Sequence, residues 1–498
     1  MAFNFLIMKY IFIQTLFLIT FSLYSFAQTR NIEAESSVTT NHFVTVKGMK
    51  IPYSATAGTL PVWSDEDKAV ATLFYTYYKR TDLKNNENRP LFISFNGGPG
   101  AASIWMHMGY TSPRVLNIDD EGNPIQPYGI SENPHSIIDV ADIVFVNPVN
   151  VGLSRILDKD YDRSNFFGVN SDIKYLAQWI EDFINKYNRW TSPKYLIGES
   201  YGTTRCSGLA LQLQNRNHTT YLNGVILVSP TGLGIDRDGP VAAALSLPYY
   251  SVTAKYHNQL NEELQNKDIE SLLDEVESFT INEFLPAIAL GNSISKEKKL
   301  EIAEKAGRYS GLKTKDYLDN NLNVSESYYW KKLLYDEGLT IGRLDSRYRG
   351  IDKSDAGTSY DYDPAMAAWD HSFTPAMQYY LKNELNYQTN MNYNVWGNVR
   401  PWDRSNDRTG ENLRQAMAKN PYLHVFIQSG YYDGATDYFN AKYTMWHLDP
   451  SGKMKDRLSH KSYESGHMMY LRREDLKNSN EDIRNFIIKT TPKSSAKY

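Results

Sequence analysis

The 498 residues carry a net charge of −4, with 41% hydrophobic and 22% charged side chains. That balance fits a globular chain too long for one small core, and it offers no basic surface on which to expect nucleic acid. With Cys206 as the single cysteine no intramolecular disulfide can form, and neither a zinc-spaced Cys/His cluster nor an acidic calcium loop occurs, so no cofactor or metal is expected.

Residues 10–27 are apolar and uncharged behind Lys9 and end in Ser25-Phe26-Ala27, the small residues a signal peptidase needs. Residues 1–27 are therefore read as a signal peptide, with Met8-Lys9 the more ordinary start, and the protein as exported, periplasmic or secreted. The run is barely long enough for a retained anchor, and no later stretch could span a bilayer. A polar segment, 29–40, follows. Residues 42–47 and 71–80 suggest an antiparallel start, and 90–95 a short buried strand ending in Asn96-Gly97-Gly98-Pro99-Gly100. Such a glycine cluster is either a plain tight turn or a cradle of bare backbone N–H groups. Residues 142–146 read as a strand and 171–187 as an amphipathic helix.

Residues 194–204, K-Y-L-I-G-E-S-Y-G-T-T, run from an apolar strand into a helix through Gly198-Glu199-Ser200-Tyr201-Gly202. This G-x-S-x-G pattern places a serine on a sharp turn with its Oγ exposed, and a Cβ at either glycine would collide with backbone. The helix starting at Tyr201 aims its free N–H groups at the same spot. Cys206, six residues on, suits a small buried apolar side chain rather than a reactive thiol. A strand at 224–228 follows, so strands alternate with helices as in a largely parallel α/β sheet. From 236 to 400 the chain is mostly helix-like and charged, with helices over 261–273 and 295–305 and the aromatic patch Tyr328-Tyr329-Trp330, and reads as a helical cap insertion. Strand character returns at 424–428, leading into Ser429-Gly430-Tyr431-Tyr432-Asp433, and a last strand approaches Ser465-Gly466-His467-Met468-Met469. Serine, acid and histidine in this order follow the α/β-hydrolase chain order. The domains expected are a core over 28–235, the cap over 236–400 and the rest of the core over 401–498. The 37 tyrosines suit either ligand-binding walls or core packing.

Five motifs in order resemble those of the serine carboxypeptidases, peptidase family S10: Asn96 to Gly100, P-V-N-V-G-L-S at 148–154, Gly198 to Gly202, the G-x-x-D ending in Asp433, and Gly466-His467-Met468. Residues 247–257 and Gly342-Arg343-Leu344-Asp345 look like the bacterial branch. The resemblance implies an α/β-hydrolase fold with a mixed, mainly parallel sheet. It implies Ser200 as nucleophile, His467 as general base and then acid, Asp433 as the acid orienting it, and N–H groups of Gly98 and Tyr201 as the oxyanion hole. Asn96, Gly97, Glu199 and Met468 would bind the substrate, a peptide whose free C-terminal carboxylate requires Glu199 to be protonated. No oligomeric state follows. The family's cysteine after N-G-G-P-G is Ala101 here, its tryptophan near Ser136 is Ile137, and the first acid of its G-D-x-D is Tyr431. The glutamate it pairs with the one before the serine is Tyr110, which removes the like charge that would hold a proton on Glu199. Asp437 is an alternative acid. His107, His135, His257, His424 and His447 lie in structured-looking segments and are expected to be packed or surface residues. An esterase or acyltransferase on the same scaffold, or a silent peptide-binding protein, are the rival readings.

Overall fold

A computed structural model describes residues 30–84 and 88–493, so the signal peptide expected over 1–27 lies outside the described residues. Nine strands carry the main sheet: β1 (Ser36–Val46), β2 (Met49–Trp63), β3 (Ala69–Arg80), β4 (Leu91–Phe95), β5 (Asp142–Val146), β6 (Lys194–Glu199), β7 (Gly224–Val228), β8 (His424–Gly430) and β9 (Leu458–Tyr463). Their spatial order is β1-β2-β3-β5-β4-β6-β7-β8-β9, and Arg155–Ile156 adds a short pairing to β3. The first three strands and β5 pair antiparallel; from β5 onward every pairing is parallel. The fold is an α/β hydrolase with a mixed, mainly parallel sheet.

Strands β4 to β7 are buried at every position, which is why they read as continuous apolar runs rather than as alternation. The antiparallel start is longer than the sequence suggests. Strand β1 begins inside the polar 29–40 segment because it is a sheet edge with one face open to solvent. Strand β2 carries Pro52, Gly58 and Pro61 and had no clear pattern of its own. The tyrosines go largely into packing: Tyr75, Tyr77 and Tyr78 of β3 are buried, with the Tyr75 hydroxyl bonded to that of Tyr187 at 2.6 Å and the Tyr78 hydroxyl to that of Tyr380 at 2.8 Å.

Helix α1 (Val169–Lys186) and helix α2 (Tyr201–Asn215) pack on one another, and α2 also lies against β6 and β7. Between β7 and β8 the helices Leu247–Tyr256, Ile269–Phe279, Lys296–Ser310 and Glu326–Lys332 share a hydrophobic core of their own, containing Tyr250, Val276, Ala303 and Tyr329. Farther along, Leu344, Trp369, Phe373 and Tyr380 belong to the main core. The helix expected over 261–273 is broken into Glu262–Gln265 and Ile269–Phe279, because Asp268 accepts from Ser271 N as an N-cap and starts the second piece. Among the described residues no helix is long and apolar enough to cross a membrane.

Candidate active site

Strand β6 ends at Glu199, and Ser200 sits between strand and helix with φ 57° and ψ −126°. A non-glycine residue pays for that left-handed φ, so the turn must be held from outside. It is: Ser200 N donates to Val228 O at 3.0 Å. A Cβ on Gly198 would lie 2.2 Å from Gly202 O and 2.8 Å from the buried Cys206 Sγ, and one on Gly202 would lie 2.8 Å from Phe95 O. Cys206 is thus part of the packing beneath the turn, and burial pushes its thiol pKa up.

The loop after β4 is pressed against this turn. A Cβ on Gly97 would stand 2.5 Å from Tyr201 N and 3.0 Å from Ser200 Cβ, which brings the two glycine-rich motifs into contact. Gly98 adopts φ 103°, a conformation suited to glycine. Tyr201, as the first helical residue, has no acceptor for its N–H inside the helix. A residue that sequence reasoning missed fixes the loop from behind. The buried Arg205 guanidinium of α2 donates to Asn96 O at 2.7 Å and to Pro99 O at 2.6 Å, and is paired with Asp172 of α1 at 2.6 Å.

Asp433 follows β8 and His467 follows β9; the structure brings them together, with His467 Nδ1 2.8 Å from Asp433 Oδ2. An ionised carboxylate can only accept, so Nδ1 carries the proton and Nε2 is free to act as a base. Asp433 Oδ1 also accepts from Ala435 N at 2.8 Å and Thr436 N at 3.0 Å, and Oδ2 from the Thr436 hydroxyl at 2.7 Å. Burial alone would raise the Asp433 pKa; the His467 charge and these bonds outweigh it and hold the carboxyl below its usual range. Burial likewise opposes charge on His467, but Asp433 overcomes it and raises the imidazole pKa. Asp437 plays another part: it caps the helix Tyr438–Leu448 through Asn440 N at 2.8 Å, and burial pushes its pKa up to about 7.

Residues 342–345 clamp both loops. Leu344 O accepts from His467 N at 2.7 Å and Arg343 O from Gly434 N at 2.9 Å. Gly466 leaves no room for a side chain here, since its Cβ would meet Asp345 Cβ at 2.4 Å.

Glu199 is buried beside the serine. Its Oε1 accepts from Asn96 Nδ2 at 2.7 Å and its Oε2 from the Tyr470 hydroxyl. The Asn96 amide is oriented by Met106 N, which donates to its Oδ1 at 2.9 Å. Burial raises the Glu199 pKa to about 7, against the lowering effects of His467, Tyr470 and Asn96. Desolvation, not like charge, is the main cause, so the raised pKa does not depend on the family's second glutamate. Tyr110 does not bond Glu199; its hydroxyl donates to Gln428 Oε1 at 2.7 Å and its ring stacks on Tyr470. Tyr470 escaped the sequence reading although it lies three residues after His467, since nothing in Gly466-His467-Met468 says which later side chain turns inward.

Asn96, Gly97, Gly98, Glu199, Ser200, His467 and Met468 all face one cleft of about 150 Å³. Trp105, Met366 and Trp396, which the sequence does not single out, also line its walls, as does Arg343, marked in the sequence only by its likeness to the bacterial branch. Of the remaining histidines none lines it: His107 is stacked on Phe145 inside the core, where burial pushes its pKa down to about 3, and His257 bonds Ser346 O at 2.7 Å. Among the described residues no group of three or more His, Cys, Asp or Glu side chains could hold a metal ion.

The sequence profile of the Peptidase_S10 family, serine carboxypeptidase, matches residues 48–473. Serine carboxypeptidase-like 45 of Arabidopsis thaliana is 27% identical over 177 residues, which cover 33% of this chain and 34% of the relative. The pheromone-processing carboxypeptidase KEX1 of Saccharomyces cerevisiae is 25% identical over 178 residues, covering 34% of this chain and 23% of KEX1. The chain therefore aligns with about a third or less of the length of these curated relatives. The crystal structure of KEX1(delta)p, a prohormone-processing carboxypeptidase from the same yeast, superposes with a TM-score of 0.53 at 17% identity, covering 88% of this chain and 91% of that one, a likeness of fold.

Proposed function

The chain belongs to the serine carboxypeptidase family, and from that premise we propose that it removes C-terminal residues from peptides through Ser200, His467 and Asp433. The observation that carries the reading is Glu199: a buried carboxyl with a pKa of about 7, opening on the same cleft as the serine and held by Asn96. A protonated carboxyl beside an amide suits a terminal carboxylate, to which its hydrogen bond is charge-assisted, more than a neutral ester or amide cap.

Ser200 Oγ attacks the scissile carbonyl carbon while His467 Nε2 takes its proton, and the imidazolium is stabilised by Asp433. The oxyanion is received by N–H groups of Gly98 and Tyr201. The C–N bond breaks as His467 returns the proton to the leaving amine. Water, deprotonated by His467, then attacks the Ser200 ester and releases the shortened peptide. Export rests on residues 1–27 and is tested by the mass of the mature protein, expected to start at Gln28.

The test of activity compares an N-blocked dipeptide, its C-terminal amide and an aryl ester on the purified protein. Release of the terminal amino acid from the free acid, much faster than cleavage of the amide, is expected. Turnover of the ester alone moves the assignment to an esterase. Ser200→Ala should lose turnover and labelling by an organophosphonate while remaining folded.

A further inference from the structure

Among the described residues lining the cleft, Arg343 is the one permanent cation, and it makes no ion pair. Arg343 is exposed on the cleft wall, in the segment whose backbone bonds the loops carrying Asp433 and His467. Its backbone is therefore fixed relative to the reacting groups. No carboxylate among the described residues lies within ion-pair distance of its guanidinium. Asp363, which feels the Arg343 charge without forming an ion pair with it, is held by backbone donors: its Oδ1 accepts from Arg343 N at 3.2 Å and Ala365 N at 3.0 Å, and its Oδ2 from Leu344 N at 3.1 Å. The neighbouring cations behave differently. Arg347, four residues on, is buried against Asp345 at 2.7 Å, and Lys331 is buried against Asp352 at 2.7 Å. A guanidinium left unpaired at a fixed place over a cleft is a ready site for a planar anion.

We propose that Arg343 is a specificity-determining residue that pairs with an acidic side chain of the substrate residue next to the scissile bond. This rests on the carboxypeptidase reading, in which the terminal carboxylate is received by Asn96 and Glu199, leaving Arg343 for a second carboxylate. The rest of the cleft fits that selection. Its other acids are Glu199, which is neutral when it accepts a carboxylate, and Asp433, which is buried behind His467 and satisfied by it and by Ala435 N and Thr436 N. Trp105, Met366 and Trp396 carry no formal charge, which leaves Arg343 as the charged group on the open wall. The Arg343 charge is felt at the reacting groups, since it acts on His467.

The experiment measures kcat/KM on two series of N-blocked dipeptide acids, one varying the terminal residue and one the penultimate, each with Asp, Asn, Glu, Gln and Lys. Wild type, Arg343→Gln, Arg343→Lys and Arg343→Glu are compared. In one of the series the wild type is expected to favour Glu over Gln, and Arg343→Gln to reduce that ratio by about tenfold. Arg343→Lys should keep part of the ratio and Arg343→Glu should invert it toward Lys. The preference should weaken with added salt. The series that responds assigns the position. If the Glu-to-Gln ratio is the same in all four proteins, the inference is overturned while the carboxypeptidase reading stands. Equal losses on every free acid, with amides spared, overturn it too, because Arg343 then reads the terminal carboxylate. Absence of turnover on every peptide overturns both.

Discussion

Tyr470 stacks on Tyr110 with ring centroids 4.5 Å apart and planes 14° from parallel, and the Tyr470 hydroxyl donates to Glu199. Glu199 thus has a hydroxyl donor as neighbour and not the second acid that the family resemblance implies, and the influence of that donor has the opposite sign. A neighbouring carboxylate would hold the proton on Glu199, whereas the Tyr470 bond favours the ionised form. Removing it in Tyr470→Phe should raise the Glu199 pKa above its present value of about 7. Binding of a free-acid peptide should then persist to higher pH than in the wild type, with the amide unchanged. Apparent affinity against pH for both ligands is the measurement, and a decline at unchanged or lower pH would refute the role given to Tyr470.

Tyr110 is buried with its hydroxyl on Gln428, so its substitution separates packing from electrostatics. Tyr110→Phe keeps the stack and should cost about 1 kcal/mol with little change in the pH profile. Tyr110→Glu removes the ring that supports Tyr470 and places a carboxyl in a fully buried site facing Gln428 Oε1, an acceptor. It should destabilise the protein by several kcal/mol rather than rebuild a pair of acids. Urea midpoints for the two variants test this, and a Glu variant as stable as the Phe variant would be the contrary result.

Glu199 also makes stability depend on pH. Its folded pKa, about 7, lies above the ordinary 4.5, so the folded state holds the proton more tightly. Below pH 4.5 both states are protonated and nothing is lost; as pH rises from 4.5 to 7 the unfolded state ionises first, and stability falls by about 3 kcal/mol. Glu199→Gln lacks this dependence. Its unfolding free energy relative to wild type should therefore rise by about that amount between pH 4.5 and pH 8, other groups cancelling in the difference. A constant difference across that range would mean that Glu199 is ionised throughout.

What the sequence displayed and what it hid divide by range. The turn at Ser200 is legible because its demands are local: Gly198 and Gly202 are needed by atoms within a few residues or in the adjacent strand. Asp433 and His467 are visible because each follows a strand in a glycine-flanked loop. Tyr470 bonding Glu199 and Arg205 holding Asn96 O join segments 271 and 109 residues apart, and no spacing rule reports such contacts. Strand β2 is hidden for a different reason. It is buried on both faces over much of its length, so the alternation that marks a half-buried strand is absent.

The two acids after β8 can be told apart by rate. Asp433→Asn retains the shape of the site but offers a donor where His467 Nδ1–H needs an acceptor, favouring the wrong tautomer. Turnover should fall on the order of 10^3- to 10^4-fold. Asp437→Asn replaces one good helix N-cap by another and should change the rate by less than about twofold. Steady-state kinetics on one free-acid substrate compare them, and the reverse ranking would transfer the triad role to Asp437.

Arg205 offers a test of how far the reaction depends on a loop held from behind. Its guanidinium is fully buried, paired with Asp172, and bonds the carbonyls of Asn96 and Pro99 that bracket Gly97 and Gly98. Lysine carries the same charge but is a single point donor and cannot reach Asp172 and both carbonyls at once. Arg205→Lys should stay folded while Gly98 and Asn96 shift. Because a displacement of about 1 Å near reacting atoms costs roughly 100-fold, kcat should drop by tenfold or more, with Asn96 misplacement raising KM for free acids more than for amides. Arg205→Met is the harsher change. It leaves Asp172 buried without a counter-charge and should destabilise the protein by about 3–5 kcal/mol. Thermal unfolding checks the second expectation and acid-versus-amide kinetics the first. A lysine variant with wild-type kcat would show that the loop keeps its place through the Gly97 contact with Tyr201 alone, and Arg205 would then serve stability and not positioning.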